Sequence, residues 1–272
     1  MRLIQLSDLH FGTERPEVVD ALVATVGHLQ PDLLLLSGDI TQRARRGQFR
    51  RCERFLRRLP PVPVLAVPGN HDIPLFNLWQ RFWSPYAHFR SSFGPDLAPE
   101  YTHTDLLIIG VNTTQPSRHV DGCFAPETVA RVAQRLSGSP ASLKIVMGHH
   151  PVDRVLDSDE RNVAEGAEAA VRQWSEAGMT LYLGGHIHYP FCTSLDRRYP
   201  GIPPGCWTAQ AGTAISRRVR DGKPNSFNLI EWQPRYRQLQ FERWDYCSFS
   251  HGFGCAETLQ LPLRGGASSL GD

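Results

Sequence analysis

Lysine is nearly absent from this chain: Lys144 and Lys223 are the only two, so the 29 basic residues are almost all arginine, a bias that reads as genomic rather than chemical. No cysteine framework is present either. The six cysteines (Cys52, Cys123, Cys192, Cys206, Cys247, Cys255) are scattered without a Cys-x-x-Cys pair, which excludes a disulfide-dense scaffold and points to a reduced, cytosolic setting. Neither sign of charge dominates. The formal net charge of +2 is too small to imply a nucleic-acid or membrane partner. No stretch approaches the ~20 apolar residues of a membrane span. The first residues, Met1 to Asp8, enter an apolar run at once without a signal-peptide layout. A soluble, cytoplasmic protein is the expectation. Its oligomeric state stays open, a homodimer included.

What is there is enough for a large α/β unit: 272 residues, 41% hydrophobic and 21% charged. Short apolar runs at Leu3–Leu6, Leu33–Ser37, Val62–Val67, Leu106–Val111, Leu143–Met147 and Thr180–Leu183 predict strands buried on both faces. Between the first two, Val18, Leu22, Val26 and Leu29 recur at helical spacing. Further helices are predicted over Arg45–Leu59, Ala125–Leu136 and Arg161–Ala177. From Trp207 onward the helical period disappears, and Ser226–Trp232 and Gln238–Asp245 predict antiparallel strands around a Pro234-Arg235 turn. Residues 1–263 read as one domain. Within it, Ile73–Tyr101 is aromatic-rich and irregular, either a cover for an active site or an ordinary packed insertion. The Gly- and Ser-rich stretch Arg264–Asp272 reads as a disordered tail.

Polar residues able to hold cations fall repeatedly at the ends of the predicted strands. These are Ser7-Asp8-Leu9-His10, Gly38-Asp39, Gly69-Asn70-His71-Asp72, Gly148-His149-His150-Pro151 and Gly184-Gly185-His186-Ile187-His188. In open α/β sheets the carboxyl ends of strands converge on one site. That places Asp8, His10, Asp39, Asn70, His149, His186 and His188 in one neighbourhood, with glycines allowing sharp turns and close backbone approach. Three oxygen donors and four imidazoles are too many for one tetrahedral ion and suit two. The mixed set favours Mn²⁺, Fe or Zn²⁺.

In this order the five motifs resemble the calcineurin-like metallophosphoesterase superfamily, over roughly Met1 to Tyr189. The resemblance implies a four-layer α/β/β/α sandwich of two mixed β-sheets flanked by helices. It also implies a binuclear centre with Asp8, His10, Asp39 and His188 around the first ion. Asp39 would bridge to a second ion completed by Asn70, His149 and His186. His71 would sit over the phosphate and stabilise charge or protonate the leaving oxygen, with Asp72 orienting its ring. Asn70 and His150 are the candidate substrate contacts. The histidine at position 10 matches the bacterial branch similar to class III cyclic-nucleotide phosphodiesterases and glycerophosphodiesterases. Gly-Asp-Ile-Thr-Gln-Arg and Gly-Asn-His-Asp depart from the protein serine/threonine phosphatase pattern.

The expected activity is therefore metal-dependent hydrolysis of a small phosphodiester by a metal-bridging hydroxide. The alternatives are a pyrophosphohydrolase acting on a nucleotide-linked sugar or lipid precursor, and a non-catalytic metal-binding scaffold. The eight arginines between Arg43 and Arg58 read as the solvated face of an amphipathic helix, and no nucleic-acid partner is expected. Arg217, Arg218 and Asn225 are left open as substrate contacts. His28, His88, His103, His119 and the Cys247/His251/Cys255 stretch are assigned to packing or surface.

Overall fold

The computed structural model describes residues 1–264. The tail expected over Arg264–Asp272 lies, beyond its first residue, outside the described residues.

In chain order the strands are β1 (Arg2–Leu6), β2 (Leu33–Ser37), β3 (Val64–Val67), β4 (Glu100–His103), β5 (Leu106–Gly110), β6 (Leu143–Met147), β7 (Leu181–Gly184), β8 (Phe191–Ser194), β9 (Trp207–Gln210), β10 (Ser226–Gln233), β11 (Gln238–Cys247) and β12 (Gly252–Leu261). The α-helices are α1 (Pro16–Leu29), α2 (Arg46–Leu56), α3 (Leu78–Trp83), α4 (Ala87–Phe93), α5 (Pro126–Ser137) and α6 (Ala167–Glu176). They form two six-stranded sheets, ordered β12-β11-β10-β1-β2-β3 and β4-β5-β6-β7-β9-β8. Each sheet is mixed. In the first, β1, β2 and β3 run parallel and β10, β11 and β12 antiparallel. In the second, β5, β6, β7 and β9 are parallel and the edge strands β4 and β8 antiparallel.

The layering follows from strand pleat. Successive side chains point to opposite faces, so an unbroken apolar strand must be covered twice. In β2, Leu33 and Leu35 join the layer between the sheets, with Leu106, Ile108, Ile145 and Leu183. Leu34 and Leu36 face the other way, onto Val18, Leu22, Phe49 and Phe55 of α1 and α2. In the second sheet Leu107, Ile109 and Tyr182 point outward against Val129, Val132, Val171 and Trp174 of α5 and α6. The result is the α/β/β/α sandwich. Each of the four β2 leucines is at most 1% exposed, and each contributes at most about 1.5–3 kcal/mol by area.

The differences from expectation have local causes. β3 starts at Val64 rather than Val62, because Pro61 and Pro63 have no amide to give a ladder. The predicted Arg161–Ala177 helix begins only at Ala167. Gly166 stands at φ 79°, and a separate 3₁₀ turn covers Asp157–Asn162. The aromatic segment Ile73–Tyr101 is more regular than expected. It holds α3 and α4, and only α4 packs, burying Tyr86 and Phe89 against the α2 layer.

Candidate metal centre

β1, β2 and β3 run parallel to one another in the first sheet, as do β6 and β7 in the second, and their carboxyl ends lie together at one edge of the sandwich. The loops leaving them carry all seven predicted donors. The two sheets are tied together there by polar contacts: the Gln5 amide donates to the Gly184 carbonyl (2.9 Å), and His149 Nδ1 lies 2.9 Å from the Ser37 carbonyl.

The loop backbones are unusual. Asp8 (φ 51°), His10 (φ 44°), Asp39 (φ 48°), His186 (φ 73°) and His188 (φ 55°) all occupy the left-handed region, a conformation that costs a non-glycine residue on the order of 1–2 kcal/mol. The surroundings impose it. The amides of Asp8 and His10 are fixed on the Gly38 and Asp39 carbonyls at 3.1 and 2.9 Å, and the Ile187 amide on Gly185 at 2.9 Å. Gly69 and Gly185 make the approach possible. A Cβ on Gly69 would overlap the Asp39 amide and carboxylate, and one on Gly185 would overlap Ser7 Oγ and Asp8 Oδ2.

The side chains converge into two overlapping groups. In one, His10 Nε2 lies 3.0 Å from His188 Nε2, 3.7 Å from Asp8 Oδ1 and 3.5 Å from Asp39 Oδ2, while His188 Nε2 is 3.1 Å from Asp8 Oδ1. In the other, Asn70 Oδ1 lies 3.1 Å from both His149 Nε2 and His186 Nδ1, and His149 Nε2 is 3.4 Å from Asp39 Oδ1. Asp39 belongs to both. Donor atoms of Asp8, Asp39 and His149 also lie within 4.8 Å of one another. Ligands at about 2.1 Å from a cation stand about 3.0 Å apart at right angles and about 3.4 Å apart in a tetrahedron. The observed separations are those edge lengths, so the donor set fits a pair of cations.

The tautomers fit as well. His149 Nδ1 faces the Ser37 carbonyl and His188 Nδ1 the Arg218 carbonyl (2.5 Å), so Nδ1 carries the proton and Nε2 faces the cluster. Asp8, His10 and His149 are fully buried and Asp39 nearly so. Burial opposes ionisation of Asp39, yet the neighbouring imidazoles, His149 foremost, hold its carboxyl well below the usual range. Burial likewise works against a charged His149, and Asp39 beside it prevails, raising it to about 9. Burial, then the charge of His149, depresses His186 to about 3. His10 is also pushed down, by burial first.

His71 sits at the rim of this cluster. Its amide donates to Asp39 Oδ1 (2.8 Å), its Nδ1 lies 2.9 Å from the Gln42 carbonyl, and its ring stands edge-on to His10 at 4.8 Å. Asp72 does not orient that ring. Its carboxylate instead accepts from the amides of Gly69, Ile40 and Thr41 at 2.8–3.0 Å and from the Thr41 hydroxyl at 2.9 Å. Asp72 thus clasps the β2 and β3 loops together, and the Gln42 carbonyl holds His71. Burial, with the charge of Asp39, raises the Asp72 carboxyl to about 7.

His150 is close to the cluster but turned from its mouth. It is wholly buried, with Nδ1 2.7 Å from Thr113 Oγ1 and Nε2 2.8 Å from the Val120 carbonyl, its ring 4.5 Å from that of His186. Arg218 does reach the site, at 3.1 Å from His71 Nε2 and 3.2 Å from Gln42 Oε1. Asn225 does not. Its amide braces the Thr213 and Ser216 carbonyls. His119, assigned to packing or surface, lies at the mouth with its ring 6.3 Å from His71. Nothing local in the sequence marks it, since it arrives on the long loop after β5. Among the described residues, every group of three or more metal-ligating side chains falls in this centre, and Cys247, His251 and Cys255 form none. A cavity of about 700 Å³ between Arg154, Glu160, Arg172 and Arg198 lies elsewhere.

Two mixed sheets between helices, with carboxylates and imidazoles converging on the strand ends, define a metal-dependent phosphoester hydrolase. The calcineurin-like phosphoesterase family matches residues 1–190, and the chain belongs to that family. It is 29% identical over 202 residues to a probable cyclic nucleotide phosphodiesterase of a Synechococcus strain, covering 70% of this chain and 74% of that protein. It is 35% identical over 153 residues to the UDP-2,3-diacylglucosamine pyrophosphatase LpxG of Chlamydia trachomatis, but these are only 47% of this chain and 46% of that protein. In fold it is similar to a dimetal phosphatase from Danio rerio, with a TM-score of 0.64 and 14% identity over 97% of this chain and 99% of that one.

Proposed function

We propose that residues 1–263 form one catalytic domain that hydrolyses a small phosphodiester, a cyclic nucleotide or glycerophosphodiester. The observation that carries this is the pair of donor groups sharing Asp39, with spacings of 3.0–3.7 Å. Asp8, His10, Asp39 and His188 would hold one divalent cation, and Asp39, Asn70, His149 and His186 the other, drawn from Mn, Fe or Zn. When bound, such a pair acidifies water and polarises the phosphoryl oxygens at neutral pH.

The chain's own groups supply the rest. Arg218 offers a planar fork to a phosphoryl oxygen beside the cluster. The Gln42 carbonyl accepts from Nδ1–H of His71 and turns Nε2 toward the mouth. The ring, entering as an imidazolium, would give its Nε2 proton to the departing alkoxide and be left neutral with Nδ1–H still on Gln42. Asp72 keeps His71 and Asp39 in register by clasping their loops. His150 stiffens the His186 ring rather than touching substrate.

The similarity to the Synechococcus protein, over most of both chains, supports a diester substrate. A second reading, cleavage of a pyrophosphate in a nucleotide-linked lipid precursor, draws on the partial similarity to the chlamydial pyrophosphatase. It is favoured by the exposed aromatic residues of α3 near the mouth. Purified protein with Mn²⁺ is expected to hydrolyse bis-p-nitrophenyl phosphate faster than the monoester, and EDTA to abolish it. Faster monoester cleavage would overturn the diesterase reading, and no turnover with any metal would favour a scaffold.

A further inference from the structure

Helix α3 buries none of its six residues. Around it Phe76, Leu78, Trp79, Phe82 and Trp83 are 76, 71, 74, 78 and 64% exposed. The Trp83 ring lies beside those of its exposed neighbours Trp79 and Phe82, at separations of 5.5 and 5.3 Å. The helix is held instead by polar ties. Asn77 caps the Gln80 amide, and the Arg81 guanidinium donates to the Pro74 and Arg118 carbonyls. A helix apolar on its open faces, tied in place by polar anchors, presents those faces to something outside the chain.

The surroundings say what. Between Asp39 and Glu53, and again between Asp72 and Asp96, the sequence contains no acidic residue, yet it places Arg43, Arg45, Arg46, Arg50, Arg51, Arg81 and Arg90 there. Arg43 lies over the Phe76 ring at 5.5 Å, and Arg45 and Arg46 join Phe76 and Asn77 around one cleft. The molecule's net charge of +2 hides this local excess. Of these arginines, Arg51 is paired with Glu14 at 2.9 Å, while Arg43, Arg45 and Arg46 beside Phe76 make no ion pair among the described residues. Aromatics beside such free arginines match an anionic lipid surface, where rings enter the headgroup region and guanidinium groups meet phosphates. Of the α2 arginines, expected to be a solvated face only, Arg46 borders that surface.

We propose that α3 and the arginines beside it seat the protein on an anionic bilayer. No helix among the described residues is long and apolar enough to cross a membrane, so the contact is interfacial. The face adjoins the metal centre. Leu78, Arg81 and Phe82 share a cavity of about 580 Å³ with Pro116 and Ser117, on the loop that carries His119 to within 6.3 Å of His71. This proposal is independent of which phosphoester is cleaved.

Flotation with vesicles tests it. Wild-type protein is expected to partition onto vesicles containing phosphatidylglycerol and only weakly onto pure phosphatidylcholine, with binding falling as salt rises. Replacing Trp79, Phe82 and Trp83 together by serine lowers that partition by at least about tenfold, and R43Q with R45Q and R46Q removes the preference for phosphatidylglycerol. Brominated lipid is expected to quench wild-type tryptophan fluorescence, a readout that needs no variant to fold. Absence of partition and quenching, equal partition of the aromatic variant, or equal binding to both vesicle types overturns the proposal. So does a concentration-dependent dimer dissolved by the aromatic variant with no vesicle binding, since that face would then belong to a second copy.

Discussion

The strand-end cluster and the α3 face are built on opposite plans. Around the cluster, five side-chain donors sit in backbone conformations that L-residues avoid, held by hydrogen bonds such as Asp8 to Gly38, His10 to Asp39 and His186 to the Asp8 carboxylate. Around α3 the backbone is ordinary and the side chains are unsupported. The first region is over-determined from within, and its function needs only small cations and a substrate. The second is under-determined, and its physical completion lies outside the chain. Strain that the fold enforces and apolar surface that it leaves bare are therefore separate signals of function.

The largest expected effect breaks the first region at its shared member. Asp39→Ala removes a donor from both groups, and turnover should fall by more than about 10³-fold with loss of bound metal in elemental analysis. His71→Ala should cost about 10²-fold in kcat while leaving metal content intact. Metal loss in that variant would contradict its place at the rim. Asp72→Asn turns a carboxylate oxygen into a donor facing amide N–H groups. Its two loops should loosen and metal affinity weaken about 10–100-fold, measured by titration. An effect on kcat alone would restore the ring-orienting role. Trp174→Ala, in the helical layer remote from both regions, should lower stability by about 3–5 kcal/mol in denaturant melts. Smallest of all, Trp79→Ser with Phe82→Ser should move the thermal stability in solution by less than about 0.5 kcal/mol. A large loss there would show that α3 is a supported part of the core.

Much of this was legible in the sequence because strand ends repeat one device: an apolar run, then glycine, then a donor. Leu33–Ser37 followed by Gly38-Asp39 fixes both a strand and a site residue. The family resemblance then ordered the donors. Other features carry no such mark. β12 alternates poorly, with Gly252, Gly254 and Cys255 among its residues and half of its positions exposed, so it forms because β11 offers an edge. The short strands β4, β8 and β9 likewise take their form from neighbours. A left-handed aspartate or histidine is written nowhere locally, since it is the loop hydrogen bonds that impose it. The partners of Asp72 include Ile40 and Thr41, some thirty positions away, and so the ring-orienting role that the resemblance implied for it is not met. For α3 the residues were visible, yet sequence cannot say that they stay uncovered.

The donors of each cation group come from both sheets: Asp8, Asp39 and Asn70 follow strands of one, while His149, His186 and His188 follow strands of the other. The greasy filling between the sheets therefore acts as a spacer gauge. A substitution such as Ile145→Val or Leu183→Met, buried well away from any substrate, can leave the melting point nearly unchanged. If it slides one sheet by a fraction of an ångström, the jaws no longer close on the ions. Its fingerprint would be a slowed enzyme of normal robustness, so variation deep inside this protein is best screened by rate rather than by heat.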